Sequence, residues 1–315
     1  MSDRGDPVQE IQAYLEVDAL RALTEQLRGG EISDISKAFD KVVHVGHSFG
    51  AEHSYLLSAK YPNISDGIVL TGFSATGDYL PYFALGGNFV DGPNAGLDYQ
   101  HGYLAAGGES GVQTNFFSPG SFPPEFLTFA TTNGQPVTLG ELLTIGGEIN
   151  VPNTYCGPVL VITGERDVPY CGGDCTRNVP EGYSSIPAAA QESFPNTQID
   201  TVIVADAGHG LNFEYSHEYT YAQISDFLSA NGLSADSTSG STLQCQPAAG
   251  GDGGSSASAT ATATGSGSSA SATQGQGYGP GNGNGWGHGW GNKGGDKGHG
   301  WANKGGNPWM SKHAS

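Results

Sequence analysis

The stretch Lys41-Val42-Val43-His44-Val45 runs into Gly46-His47-Ser48-Phe49-Gly50 and then into a helix-like segment, 51–60. The first run is apolar and rich in β-branched residues, as a buried strand is, and Pro62 ends the helix. Between them lies a G-x-S-x-G pentapeptide. A strand that turns at once into a helix holds the serine on a strained elbow with its hydroxyl exposed. Side chains at Gly46 and Gly50 are expected to block the tight turn and the close helix–strand approach.

Three more strand-like runs follow, at 67–71, 158–163 and 201–204. All are nearly continuous and β-branched, the pattern of a parallel sheet covered on both faces. Ile11, Leu15, Ala19, Leu20, Leu23 and Leu27 repeat at helical spacing over 10–28, and Gly29-Gly30 stops that helix. A closing helix is expected over 214–230. The fold class is therefore α/β, with helices on both faces of a parallel sheet, in a domain spanning 1–233.

Residues 73–155 differ in texture. They are rich in Gly, Pro and aromatics, among them Tyr79, Phe83, Phe116, Phe122 and Phe129. The segment is too long for a plain loop in a compact domain. It reads as an inserted lid with an apolar underside, or as a helical excursion with its own core.

A serine hydroxyl is a poor nucleophile until a base takes its proton, and the base needs a carboxylate to orient it. Ser48 is the candidate nucleophile. The run 159–163 ends in Gly164-Glu165-Arg166-Asp167, which sets Asp167 beyond a strand's carboxyl end, where α/β sheets gather ligands. Glu165 is the second choice of acid and Asp78 the third. The strand at 201–204 leads into Ala205-Asp206-Ala207-Gly208-His209-Gly210, and the flanking glycines let a loop carry His209 over the elbow. Of the nine histidines, His47 lies inside the motif and is expected to point elsewhere.

Gly46-His47-Ser48-Phe49-Gly50, Thr163-Gly164-Glu165-Arg166-Asp167 and Ala207-Gly208-His209 together resemble the α/β-hydrolase superfamily. The texture is most similar to fungal serine hydrolases of the single-domain esterase/lipase type, over roughly residues 3–231. The resemblance implies Ser48 as nucleophile, His209 as general base, Asp167 as orienting acid, and a Ser-ester intermediate released by water. It implies no metal and no organic cofactor. One oxyanion donor would be the backbone N–H of Phe49. Members of the superfamily carry several strands before the elbow strand, whereas about forty residues precede it here and read as one helix and a loop. The expectation is an incomplete sheet, an N-terminally truncated chain, and no second oxyanion donor from an early strand–helix loop.

The chain carries 12 Lys+Arg against 31 Asp+Glu, a formal charge of -19. An acidic body argues against nucleic acid or an anionic membrane as the main partner. No apolar run is long enough to span a membrane, and the opening residues lack a signal-peptide core. Four cysteines allow three pairings, of which Cys171–Cys175 and Cys156–Cys245 are the expected set. No histidines stand in metal-site spacing around them. With the sequon Asn63-Ile64-Ser65, they suggest an extracellular or cell-wall setting. From 234 to 315 the composition becomes Ser/Thr/Ala/Gly-rich and then Gly/Asn/Trp-rich, with a repeat at 288–295 and 299–306 and all four tryptophans. Such a segment cannot bury a core and is expected to be a disordered tail. Cell-wall polysaccharide is a candidate ligand for it, and an impaired hydrolase acting through this tail is the alternative to a small-molecule ester hydrolase.

Overall fold

The computed structural model describes residues 5–35, 37–147, 149, 152–235 and 245. Helix α1 (Ala13–Gly29) begins later than expected, because Asp6 accepts the N–H groups of Val8 and Gln9 and closes a separate turn first. Gly30, at φ 67°, ends the helix and returns its N–H to the carbonyls of Gln26 and Leu27. Strand β1 (Val43–His47) and helix α2 (Phe49–Lys60) flank the elbow, and β2 (Gly67–Thr71) follows.

The long insertion comes next. It holds α3 (Leu80–Gly87), β3 (Val90–Asp91), β4 (Tyr103–Ala105), α4 (Glu109–Phe116), α5 (Pro124–Asn133), β5 (Val137–Thr138) and α6 (Leu139–Thr144). Its three short strands form a separate antiparallel sheet in the order β3-β4-β5. Val112, Phe117, Phe122 and Leu127 form an apolar cluster within the insertion, joined by Phe213 from outside it. The chain then returns through β6 (Val159–Gly164), α7 (Val168–Cys171), β7 (Ile199–Val204) and α8 (His217–Ala230).

The main sheet is parallel throughout, in the order β1-β2-β6-β7. Alternate residues of its central strands face opposite cores, as the two-residue period of a strand requires. Ile68, Leu70, Val159 and Val161 pack with Tyr55 of α2 on one face. Val69, Leu160 and Ile162 pack with Phe227 of α8 on the other. The α/β class with a doubly covered parallel sheet is thus the observed one. Among the described residues no strand precedes β1. Val45, on that edge strand, is 56% exposed.

The cysteines pair as expected, Cys156 with Cys245 and Cys171 with Cys175. No helix among the described residues is long and apolar enough to cross a membrane. Apart from Ser234, Ala235 and Cys245, the segment from 234 onward, with its tryptophan repeats, lies outside the described residues.

Candidate active site

Ser48 sits between β1 and α2 at φ 56°, ψ −122°, a backbone region that L-residues seldom occupy. Its N–H donates to the Thr71 carbonyl at 2.9 Å, which ties the turn to β2. A Cβ on Gly46 would stand 2.1 Å from the Gly50 carbonyl oxygen and 2.7 Å from the Cα of Ala51. Gly46 is therefore required. Gly50 is not, contrary to expectation: a Cβ there meets nothing within 4 Å, because that side of the first helical turn faces open space.

Asp167 and His209 arrive from the ends of β6 and β7. Gly164 permits the meeting, since a Cβ on it would lie 2.0 Å from the Gly208 carbonyl oxygen. Asp167 Oδ2 lies 2.7 Å from His209 Nδ1 and accepts the Thr163 hydroxyl at 2.7 Å, while Oδ1 accepts the Tyr170 N–H at 2.8 Å and caps α7. Both side chains are fully buried. Burial works against ionisation of Asp167, but the charge and hydrogen bond of His209, with the bonds from Thr163 and Tyr170, outweigh it and hold the carboxyl below its ordinary value. The bond to Asp167 takes Nδ1 of His209, and Nε2 is buried without a hydrogen-bond partner among the described residues. That nitrogen is the proton acceptor the site has to offer.

The other acid candidates stand elsewhere. Glu165 Oε2 accepts the Asp206 N–H at 3.0 Å, and Asp78 lies on an exposed turn. His47 does not point away from the site. Its ring packs 4.8 Å from that of His209, while its Nδ1 meets the Thr71 hydroxyl at 2.9 Å. Burial, then the charge of His209, push its pKa down to about 3, so it is a neutral neighbour of the base.

Three residues that carry no motif complete the surroundings. Tyr170 stacks on His209 with ring centroids 5.5 Å apart, and its hydroxyl lies 2.7 Å from Glu52 Oε1. Glu52 is completely buried in the first turn of α2, and burial pushes its pKa up to about 8 against the bond from Tyr170. Glu214 accepts the N–H of Ser118 and of Gly208, each at 2.7 Å, and so joins the insertion to the His209 loop. The one sequence signal for Tyr170 was its position three residues after Asp167, where a capping carboxylate finds its N–H.

An apolar pocket opens at the elbow. Ser48, Phe49 and Tyr170 line it from the sheet side, and Leu80, Phe83 and Ile145 from the insertion. Phe116 of the insertion lies 5.6 Å from the His209 ring. Phe49 begins α2, where backbone N–H groups have no intrahelical acceptor. No group of three or more His, Cys, Asp and Glu able to hold a metal occurs among the described residues.

No protein-family model matches the chain, and no curated protein does. Among solved structures, it is similar to a thermophilic esterase from Thermogutta terrifontis, at 17% identity and a TM-score of 0.45, over 70% of this chain and 74% of that one. It is similar to a monoacylglycerol lipase from Paleococcus ferrophilus at 14% identity and a TM-score of 0.44, over 70% and 76% of the two chains. It is also similar to tomato methylketone synthase I complexed with 2-tridecanone, at 13% identity and a TM-score of 0.47, over 70% and 80%. These overlaps are too loose to carry a residue or a reaction from one protein to another.

Proposed function

We propose that this protein is a serine hydrolase of the α/β-hydrolase type that cleaves a carboxylic ester through Ser48, His209 and Asp167. The buried Asp167–His209 pair and a serine held at positive φ on the elbow support this reading. A structural ion pair needs neither the strained serine nor an unpartnered nitrogen, and both carry a stability cost of their own.

In the reaction, His209 Nε2 takes the proton of Ser48 as the hydroxyl oxygen bonds to the ester carbonyl carbon. The carbonyl π pair moves to its oxygen, which faces the N–H of Phe49. Collapse of this intermediate breaks the bond to the alcohol, and His209 gives its proton to the leaving oxygen. Water then repeats the sequence on the Ser48 ester and frees the acid. Asp167 fixes the tautomer of His209 and stabilises its protonated form.

The apolar lining of Leu80, Phe83 and Ile145 favours a substrate with an apolar acyl or aromatic part. The insertion that supplies those residues is read as the lid. Two disulfides suit an extracellular or cell-wall setting.

The test is a fluorophosphonate probe on the full chain beside Ser48→Ala, read by intact mass together with hydrolysis of a p-nitrophenyl ester. One adduct and turnover, both lost in the variant, are expected. Equal labelling or turnover in the variant would overturn the reading.

A further inference from the structure

Residues 5–13, which lead into α1, are bonded along their length to the insertion. The Gly5 carbonyl accepts the Tyr103 hydroxyl and the Gln100 side-chain amide, each at 3.0 Å. The Pro7 carbonyl accepts the Gly140 N–H at 2.7 Å, and the Ile11 carbonyl accepts the Thr138 hydroxyl at 3.0 Å. The Ala13 N–H donates to the Thr144 hydroxyl oxygen at 3.1 Å. These bonds reach β4, β5 and α6 in turn. Contact is tightest at Gly140, where a Cβ would stand 2.3 Å from the Ile11 carbonyl oxygen and 2.9 Å from that of Pro7.

The part of the insertion held in this way is a wall of the elbow pocket. Val137, Leu142 and Ile145, from β5, α6 and the residue after it, line the pocket together with Ser48 and Phe49. The cavity measures about 50 Å³. A water-sized group takes roughly 10–15 Å³ of such space, so about three to five heavy atoms fill it. We propose that residues 5–13 are a strap that sets the size of this pocket, with Gly140 and Thr144 as its positioning residues, and that the pocket takes a short acyl group and excludes a long one. The proposal rests on the serine-hydrolase reading and names the substrate class and what fixes it.

The strap is anchored at its far end to the nucleophile's own helix. It continues into α1, where Val17 packs with Leu56 and Leu57 of α2, and α2 begins at the residue after Ser48. The pocket wall and the nucleophile are thus held against the same pair of helices. The strap also has order of its own: Asp6 accepts the N–H groups of Val8 and Gln9, and its N–H reaches Glu10 Oε2 at 2.8 Å. Helix α6 has six residues, too few to be stable without tertiary support, so its place depends on its seat. A fixed wall rejects added methylenes, each by roughly 10–200-fold when the pocket cannot yield. A wall released from the strap yields and admits them.

Gly140→Ala separates the strap from the helix. Alanine favours α6 itself, so the damage falls on the contact with Pro7 and Ile11. Thr144→Val removes the acceptor of the Ala13 N–H with little change of shape. Leu143→Ala is the control, because Leu143 is on the same helix and 76% exposed.

The experiment is steady-state hydrolysis of p-nitrophenyl butyrate and octanoate by the full chain, for wild type, Ser48→Ala and these three variants. Thermal melts and amide hydrogen exchange over 137–145 accompany it. Loss of turnover in Ser48→Ala establishes the underlying reaction, and its persistence would remove that reaction whatever the strap does. With the reaction established, the wild type is expected to favour butyrate over octanoate by at least about tenfold in kcat/KM. A preference for octanoate overturns the proposal. In Gly140→Ala the octanoate-to-butyrate ratio is expected to rise about tenfold, chiefly through a lower KM for octanoate, with faster exchange over 137–145. Thr144→Val should move the ratio the same way by about threefold, and Leu143→Ala should leave it unchanged. A lowered melting temperature with an unchanged ratio in Gly140→Ala would assign the strap to stability alone and overturn the proposal. An equal shift in Leu143→Ala would overturn it too. Should Gly140→Ala not fold, Thr144→Val and Tyr103→Phe decide, and an unchanged ratio in both overturns it.

Discussion

The Glu214 carboxylate accepts the Gly208 N–H at 2.7 Å, one residue ahead of His209. Its other oxygen accepts the Ser118 N–H. The neighbouring Gly210 N–H reaches the Phe116 carbonyl at 2.6 Å. The loop that carries His209 is thereby joined on both sides of that residue to the insertion.

Glu214→Gln should loosen this junction. The amide keeps one acceptor and turns an NH₂ toward an N–H, so one bond becomes a repulsion. Urea denaturation is expected to register a loss of about 1–3 kcal/mol. Ester turnover should fall roughly tenfold or more, through displacement of His209. A variant with wild-type kcat would mean that the loop is held by its other contacts.

Asp167→Asn tests the acid itself. The amide preserves size but favours the wrong tautomer of His209. A drop in kcat of about 10⁴ is the outcome expected for that change, with little loss of structure by circular dichroism. Asp78→Asn should stay at the wild-type rate, because Asp78 lies on an exposed turn and the Nδ1 of His209 is taken by Asp167. A large effect at Asp78 would point to a different acid.

Much of this site was legible in the sequence, and the reason is local. β2 and β6 are apolar runs buried throughout, and β1 and β7 carry β-branched residues at their sides, so the strand ends could be located, and Asp167 and His209 stand just beyond two of those ends. The elbow is a contiguous motif. Glu52, Tyr170 and Glu214 were not legible, because their partners are set by tertiary contact. Glu52 and Tyr170 are 118 residues apart in the chain, and Ser118 and Glu214 are 96 apart. Strands β3 and β5 have two residues each, too few for any alternation to register. Gly50 was misjudged for a related reason. The pentapeptide spaces its glycines symmetrically around the serine, yet only Gly46 faces a neighbouring backbone.

That asymmetry can be measured. Gly46→Ala forces a Cβ into the Gly50 carbonyl and should cost more than about 4 kcal/mol or prevent folding. Gly50→Ala adds a methyl in open space within a helix, where alanine is favoured by about 0.5–1 kcal/mol. Chemical denaturation of the two variants should therefore give opposite signs. Equal losses would show that the helix cannot accept a side chain at either glycine.

Glu52 predicts a pH dependence of stability. Its folded pKa, about 8, lies above the ordinary carboxyl value, so the native state binds more protons than the unfolded chain between about pH 4.5 and 8. Stability from this group is therefore complete below about pH 4.5 and is lost as pH rises through 8. The lowered histidines, His44, His47 and His53, act in the opposite sense on the acid side, so the comparison must be between variants. Glu52→Gln cannot ionise. Its Tm relative to wild type should climb by about 5 °C or more from pH 5 to pH 8.5. A constant difference across that range would mean that Glu52 titrates normally.

The two disulfides should differ in what they contribute. Cys156–Cys245 spans 89 residues and Cys171–Cys175 spans 4. If a crosslink acts by restricting the unfolded chain, its stabilisation grows with the logarithm of the loop it closes, to about 4–5 kcal/mol for the long loop and about 2 for the short one. The Cys245 N–H also donates to the Asn63 side chain at 2.7 Å, so loss of the long bridge weakens that hydrogen bond as well. Cys156→Ser with Cys245→Ser should therefore lower the urea midpoint more than Cys171→Ser with Cys175→Ser. The reverse ranking in the denaturation series would mean that the α7 turn depends on its own crosslink for folding.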